Sequence, residues 1–147
     1  LHYIIRLDFY FCQISCHSKK LSDIKSNLSL FSDKCNQLLA QENIRFAGII
    51  DDNGDLISGG FKKDLTPLEG DETRLKSFME FVSKVSIRKE YDASLGPINY
   101  LAARRDKAVL VSFPFPVSRI LLLISAEPSV DIEQLATKVV DIFTDVS

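Results

Sequence analysis

Histidine is scarce in this chain, which has two histidines among 147 residues. Both of them, His2 and His17, lie close to the start of the sequence. Nucleophilic and general acid–base catalysis needs a nucleophile and a base that converge, and that base is most often histidine. Three carboxylates, Asp51, Asp52 and Asp55, sit close together, but they flank a turn, where acidic residues commonly shape the turn itself. We therefore expect no enzymatic activity and no catalytic residue.

Cysteine is scarce too, and an odd total of three argues against the disulfide framework of an exported protein. Cys12, Cys16 and His17 lie close together in the sequence, but a tetrahedral metal site needs four ligands. The remaining Cys35 and His2 do not form a second recognisable pair. We interpret the cysteines as structural or incidental, and we expect neither a metal nor a cofactor.

The chain also lacks a strong charge of one sign, because 18 basic and 20 acidic side chains leave a net charge of −2. Nucleic-acid binding needs clustered lysine and arginine against phosphate, so no nucleic-acid partner is expected. The apolar run at the start is interrupted by Arg6 and Asp8, which makes it too short and too charged for a transmembrane helix. It also lacks the basic start and cleavage site of a signal peptide. These absences predict a cytoplasmic protein with no membrane partner.

The sequence divides into two parts of unequal size. We interpret residues 1–19 as a leader of doubtful origin that is disordered or peripheral to the fold. The alternatives for this leader are an extra strand or an arm that touches a membrane. Residues 20–147 are long enough to bury a core, and we expect them to form a single domain.

Hydrophobic periodicity predicts eight elements in that domain. Apolar residues at helical spacing predict three helices, over residues 21–38, 73–91 and 131–143. Alternating or continuous apolar runs predict five strands, over residues 44–51, 55–60, 98–104, 108–113 and 118–126. The last strand is apolar on both faces, which is typical of the centre of a covered sheet. The order α-β-β-α-β-β-β-α predicts a three-layer α/β/α domain with a five-stranded antiparallel sheet.

The turn DDNGD joins the first two predicted strands. Asp52, Asn53 and Gly54 tolerate the left-handed backbone that tight hairpins require. The turn does not match a calcium loop of the EF-hand type, which needs acidic residues at positions one and twelve. With Gly54 at position six, those positions would be Ile49 and Gly60. A phosphate loop would need the pattern Gly-x-x-x-x-Gly-Lys, which is absent. We therefore predict a hairpin corner and not a ligand-binding loop.

The element order, with FAGIIDDNGDLISGG as the first hairpin and NYLAARRDKAVLVSFPFPVSRILLLISAEP as the three-strand run, resembles the Roadblock (dynein light chain type) domain of the profilin-like group. The motifs IRFAGIIDDNGDLISGG, SIRKEYDASLGPINY and ILLLISAEP are similar, more closely, to a family of small uncharacterised archaeal proteins. The resemblance covers residues 22–143. It implies a non-enzymatic protein-interaction module that pairs with itself or with a related subunit, and that serves small-GTPase regulation or scaffolding.

The Roadblock resemblance also implies an interface, formed when the central helix and the third strand of two subunits pair. These elements are residues 74–91 and 98–104. The helix carries more apolar side chains than a single contact with a sheet needs. The predicted interface residues are Phe78, Met79, Phe81, Val82, Ile98 and Tyr100.

A second function, from a different class, fits the same element order. A single-domain sensor of the GAF type binds a small ligand between a sheet and a helix, and hairpins of this pattern are common in such sensors. The candidates for contact with an anion are Arg88, Lys89, Arg104 and Arg105. The alternative for these four residues is an ordinary solvated basic face, which we prefer.

Overall fold

The structure is a computed structural model that describes residues 21–68, 70, 72–86, 89–115 and 119–144. The predicted leader, residues 1–19, lies outside the described residues, so the division into leader and domain stays a prediction. No helix among the described residues is long and apolar enough to span a bilayer.

Five antiparallel strands form one sheet, in the order β2-β1-β5-β4-β3. The strands are β1 (Ile44–Asp51), β2 (Leu56–Phe61), β3 (Leu101–Arg104), β4 (Val109–Pro114) and β5 (Ile120–Ala126). The helices are α1 (Leu21–Leu39), α2 (Glu72–Ser86), the single turn α3 (Asp92–Leu95) and α4 (Ile132–Thr144). This architecture confirms the predicted five-stranded antiparallel sheet and the order of the long elements.

Two predicted boundaries are wrong by three residues or more, and the others differ by at most two residues. The third strand begins at Leu101 and not at residue 98, because the ladder with β4 would bring residue 99 opposite Pro114, which has no N–H to donate. The middle helix ends at Ser86 and not at residue 91. Its apolar stripe stops at Val85, and a helix with no face left to bury is not held in place by packing. Tyr91 instead precedes the separate turn α3.

The core has two unequal parts, one on each face of the sheet. The larger part packs α1 and α4 against one face, around Cys35, Leu38, Val139 and Phe143. The smaller part packs α2 alone against the other face. Its buried members are Phe46, Ile50, Met79, Leu121 and Leu123.

This division has two consequences. The central strand β5 is covered from both sides, and its apolar residues from Leu121 to Ile124 are at most 3% exposed, as the sequence predicts. A single helix on the smaller side cannot cover five strands, however, since helices pack about 10 Å across and strands lie nearly 5 Å apart. Within the described part of the chain, α2 reaches β4 but leaves the sheet at β3 open on the same side.

The β1–β2 hairpin fixes the position of α2. Ser83 Oγ donates a hydrogen bond of 2.7 Å to the Asp51 carbonyl, and Lys76 Nζ donates one of 3.1 Å to the Asn53 carbonyl. Gly54 has φ of 78°, and a Cβ there would lie 2.5 Å from a backbone nitrogen of α2. The turn is thus a docking contact for the helix, as well as the hairpin corner that the sequence predicts. No cluster of three or more possible metal ligands occurs among the described residues.

Candidate interaction surface

An apolar groove lies between helix α2 and the β3 edge of the sheet, with a volume of about 250 Å³. Strand register explains its floor, because Leu101 lies opposite Ser112 and Ala103 lies opposite Leu110, which places these four on the α2 face. The groove is lined by Phe78, Phe81, Val82 and Val85 from α2, and by Leu101, Ala103 and Leu110 from the sheet.

Large apolar side chains around this groove are exposed to solvent. Phe81 is 64% exposed and Val85 is 42% exposed, and the two lie one helical turn apart on α2. Leu101 on the neighbouring strand is 37% exposed. The monomer's core does not require these side chains, and a contiguous exposed apolar patch of this kind commonly marks an interaction site.

Among the residues that the structure describes, strand β3 leaves one edge of the sheet unpaired. It pairs with β4 on one side only, and all four of its residues are exposed. The free backbone N–H and C=O groups of such an edge are a template for another strand. The edge and the groove are adjacent, so one partner can cover both.

A buried pair of serines holds the end of α2 against the sheet. Ser86 Oγ and Ser112 Oγ lie 2.7 Å apart, and both residues are at most 4% exposed. With the Ser83 bond to the hairpin, this contact fixes the helix at two points. The α2 wall of the groove is therefore held in place by contacts within one chain.

Three of the six predicted interface residues, Phe78, Phe81 and Val82, line the groove together. Sequence reasoning missed Leu101 and Ala103 as members of this surface. Side chains alternate between the two faces of a strand, so Leu101 and Ala103 share one face. The strand is apolar at consecutive positions, however, and its sequence does not indicate which face lies toward α2.

The other three predicted interface residues lie elsewhere. Met79 is 5% exposed and belongs to the smaller core. Ile98 precedes β3 and does not line the groove. Tyr100 packs against Phe113 with ring centroids 5.9 Å apart, and its hydroxyl donates a hydrogen bond to Glu133, so it faces α4 on the opposite side of the sheet.

The four basic residues predicted as anion contacts do not form one site among the described residues. Arg88 lies outside the described residues, and Lys89 has an interaction partner of its own. Arg104 donates hydrogen bonds of 2.6 Å to the Pro128 carbonyl and 3.1 Å to the Val130 carbonyl, on the α4 side of the sheet. Arg105 faces the other way and lines the groove.

The described cysteine, Cys35, is fully buried between α1 and the sheet. Burial raises the pKa of its thiol to about 12, against a smaller lowering by a hydrogen bond with the backbone of Ile49. A thiol that stays protonated and out of contact with solvent is neither a nucleophile nor a metal ligand at neutral pH. Its position agrees with the structural interpretation.

Comparison with known proteins gives this chain a family and a fold. The profile of a family of unknown function, DUF6659, matches residues 23–145. The chain belongs to this family. No curated protein matches it in sequence.

Solved structures of other proteins share the fold of this chain. A Roadblock/LC7 domain from Streptomyces avermitilis superposes with a TM-score of 0.56 at 13% identity, over 81% of this chain and 92% of that domain. MglB of Myxococcus xanthus gives 0.58 at 18% identity, over 80% and 86%. An MglB structure described as a tetrameric arrangement gives 0.56 at 10% identity, over 78% and 88%. These likenesses confirm the predicted Roadblock fold.

Proposed function

We propose that this chain is a non-enzymatic interaction module that self-associates, or pairs with a related subunit, through α2 and β3. In that state it takes part in small-GTPase-linked regulation or scaffolding. The observation that carries the proposal is the preformed apolar groove beside a free sheet edge, with Phe81 exposed at its rim.

A second copy is the occupant that suits this surface best. An antiparallel pairing of β3 with its counterpart satisfies the free edge of both copies at once, as a two-fold interface requires. The same operation places Phe81 and Val85 of each copy against the other copy's apolar groove. The tetrameric arrangement named for one MglB structure supports assembly by a protein of this fold.

The non-enzymatic part of the proposal is supported by the side chains in the described ranges. Cys35 is fully buried, and the raised pKa of its thiol keeps it protonated at neutral pH. The carboxylates of the hairpin serve the turn and its ion pairs, in which Asp52 binds Arg119 at 3.0 Å and Asp55 binds Lys76. The link to small GTPases rests on the Roadblock resemblance alone.

Two edge substitutions test the proposed surface against a matched control. Leu101→Glu places a charge on edge strand β3, and Ile57→Glu places one on edge strand β2, where the native residues are both 37% exposed. Sedimentation velocity should show that Leu101→Glu dissociates the assembly while Ile57→Glu leaves it intact. Equal behaviour of the two variants would remove β3 from the interface.

The GTPase link has a separate test. Small GTPases of the source organism, loaded with GDP or with a non-hydrolysable GTP analogue, are titrated against the full chain by calorimetry. We expect one of them to bind in one nucleotide state in preference to the other. Binding of none would refute the GTPase link and leave self-association standing.

A further inference from the structure

A second cavity of about 480 Å³ adjoins the start of the apolar groove. It forms where the loop before α2 approaches the turn between β3 and β4. Its apolar walls are Leu68, Phe78, Ala108 and Leu110. This volume falls within the range of small-molecule sites, which are commonly concave, mostly apolar and marked by a few polar groups.

The polar groups of this cavity come from the β3–β4 turn. Arg105, Asp106 and Lys107 all line it, so the turn carries a net charge of +1. Neither Arg105 nor Lys107 makes an ion pair or side-chain hydrogen bond with any residue that the structure describes. Their neighbour Arg104 differs, since two carbonyls on the opposite face already hold its guanidinium.

We propose that this cavity binds an amphiphilic monoanion, with its apolar body between Phe78 and Leu110 and its anionic group at Arg105 and Lys107. The charge of the turn matches a single negative charge, and the walls match a chain of methylene groups. A carboxylate group supplies that charge, and it accepts the paired hydrogen bonds that a guanidinium donates. The site takes a fatty-acid-like ligand in preference to a polar anion such as phosphate.

This site is separable from the proposed self-association surface. Leu68, Lys107 and Ala108 line only the larger cavity, while Phe81 and Val85 line only the groove. Phe78, Arg105 and Leu110 belong to both, so a bound ligand lies beside the surface that a second copy covers. Substitutions at Lys107 therefore probe the ligand site, and substitutions at Phe81 probe assembly.

Calorimetric titration of the full chain with decanoate, kept below its micelle concentration, tests the proposal. We expect saturable binding of one decanoate per chain, with decanol and acetate both binding at least tenfold more weakly because each lacks one half of the recognition. Arg105→Gln combined with Lys107→Gln should weaken decanoate binding by tenfold or more. Lys138→Gln on α4 removes a charge on the opposite side of the sheet and should leave binding unchanged.

Leu68→Asn is a second variant for the apolar wall, and it should also weaken decanoate binding, since Leu68 is a half-exposed loop residue that the fold does not require. The proposal is overturned if decanoate does not saturate, if decanol binds as tightly as decanoate, or if the double variant binds like the unaltered chain. A chain that binds decanoate but stays monomeric at every concentration would overturn only the self-association proposal. A Phe81→Glu chain that is monomeric and still binds decanoate would support both.

Discussion

Phe81 gives the sharpest prediction for the proposed interface, because it is the most exposed apolar side chain of the groove. A fully buried aromatic side chain removes roughly 200 Å² from water, so its exposed 64% corresponds to about 130 Å². At about 25 cal/mol per Å², burying that area contributes up to about 3 kcal/mol per copy. A two-fold dimer contains the residue twice, so Phe81→Glu removes up to about 6 kcal/mol and adds the cost of desolvating two carboxylates.

Even a third of that value weakens the dimer more than tenfold, since each 1.4 kcal/mol is about a factor of ten in Kd. The assay is sedimentation equilibrium over a concentration series, with urea unfolding as a check on the monomer. Because Phe81 is mostly exposed, its substitution should change the monomer's stability by less than about 1 kcal/mol. Ile57→Glu on the opposite sheet edge is the control. An unchanged Kd for Phe81→Glu, with the fold intact, would refute the assignment of this helix face to the interface.

The remaining predictions concern the fold that positions the groove, and urea unfolding measures each of them. Gly54→Ala should lower the free energy of unfolding by at least about 1 kcal/mol more than Gly96→Ala does. Both residues have positive φ, but only a Cβ at Gly54 would meet the α2 backbone. Equal losses of stability in the two variants would contradict the docking contact. Ser112→Ala should lower the free energy of unfolding by about 1–3 kcal/mol, because it leaves the Ser86 hydroxyl unpaired. Replacing both serines by alanine should recover part of that loss. A double variant whose loss equals the sum of the two single losses would contradict this prediction. Cys35, in a variant whose other cysteines are serine, should react with a thiol reagent at pH 8 only on unfolding. Since its pKa rises from 9.0 to about 12 on folding, its contribution to stability should be lost as pH rises from 9 towards 12; stability unchanged over that range would contradict the burial.

The long elements of this fold are predictable from local pattern. The run from Ile120 to Ile124 is apolar on both faces, which indicates a strand covered on both sides, and β5 is the central strand. The hairpin turn is equally predictable, because Gly54 and its neighbours tolerate the backbone conformation that the turn needs. In both places local pattern and tertiary structure demand the same residues.

The proposed interface is less predictable, because two features of the structure that shape it are set by long-range contacts. The rotation of α2 that buries Met79 and exposes Phe81 is set by hydrogen bonds from its serines to β1 and β4. The start of β3 depends on its register with β4, which stops the ladder before it reaches Pro114, and the side of the sheet that Tyr100 faces depends on the same register. The sequence of α2 alone does not predict the rotation of the helix, and the sequence of β3 alone does not predict its register.

The absolute mass of the unaltered full chain in solution tests the central claim most directly. Multi-angle light scattering across a hundredfold range of concentration distinguishes a monomer of 16.6 kDa from a species of twice that mass. The proposed interface predicts the doubled mass, or a higher multiple, at the upper concentrations, with a return towards the monomer on dilution. A mass of one chain at every concentration would contradict self-association through α2 and β3.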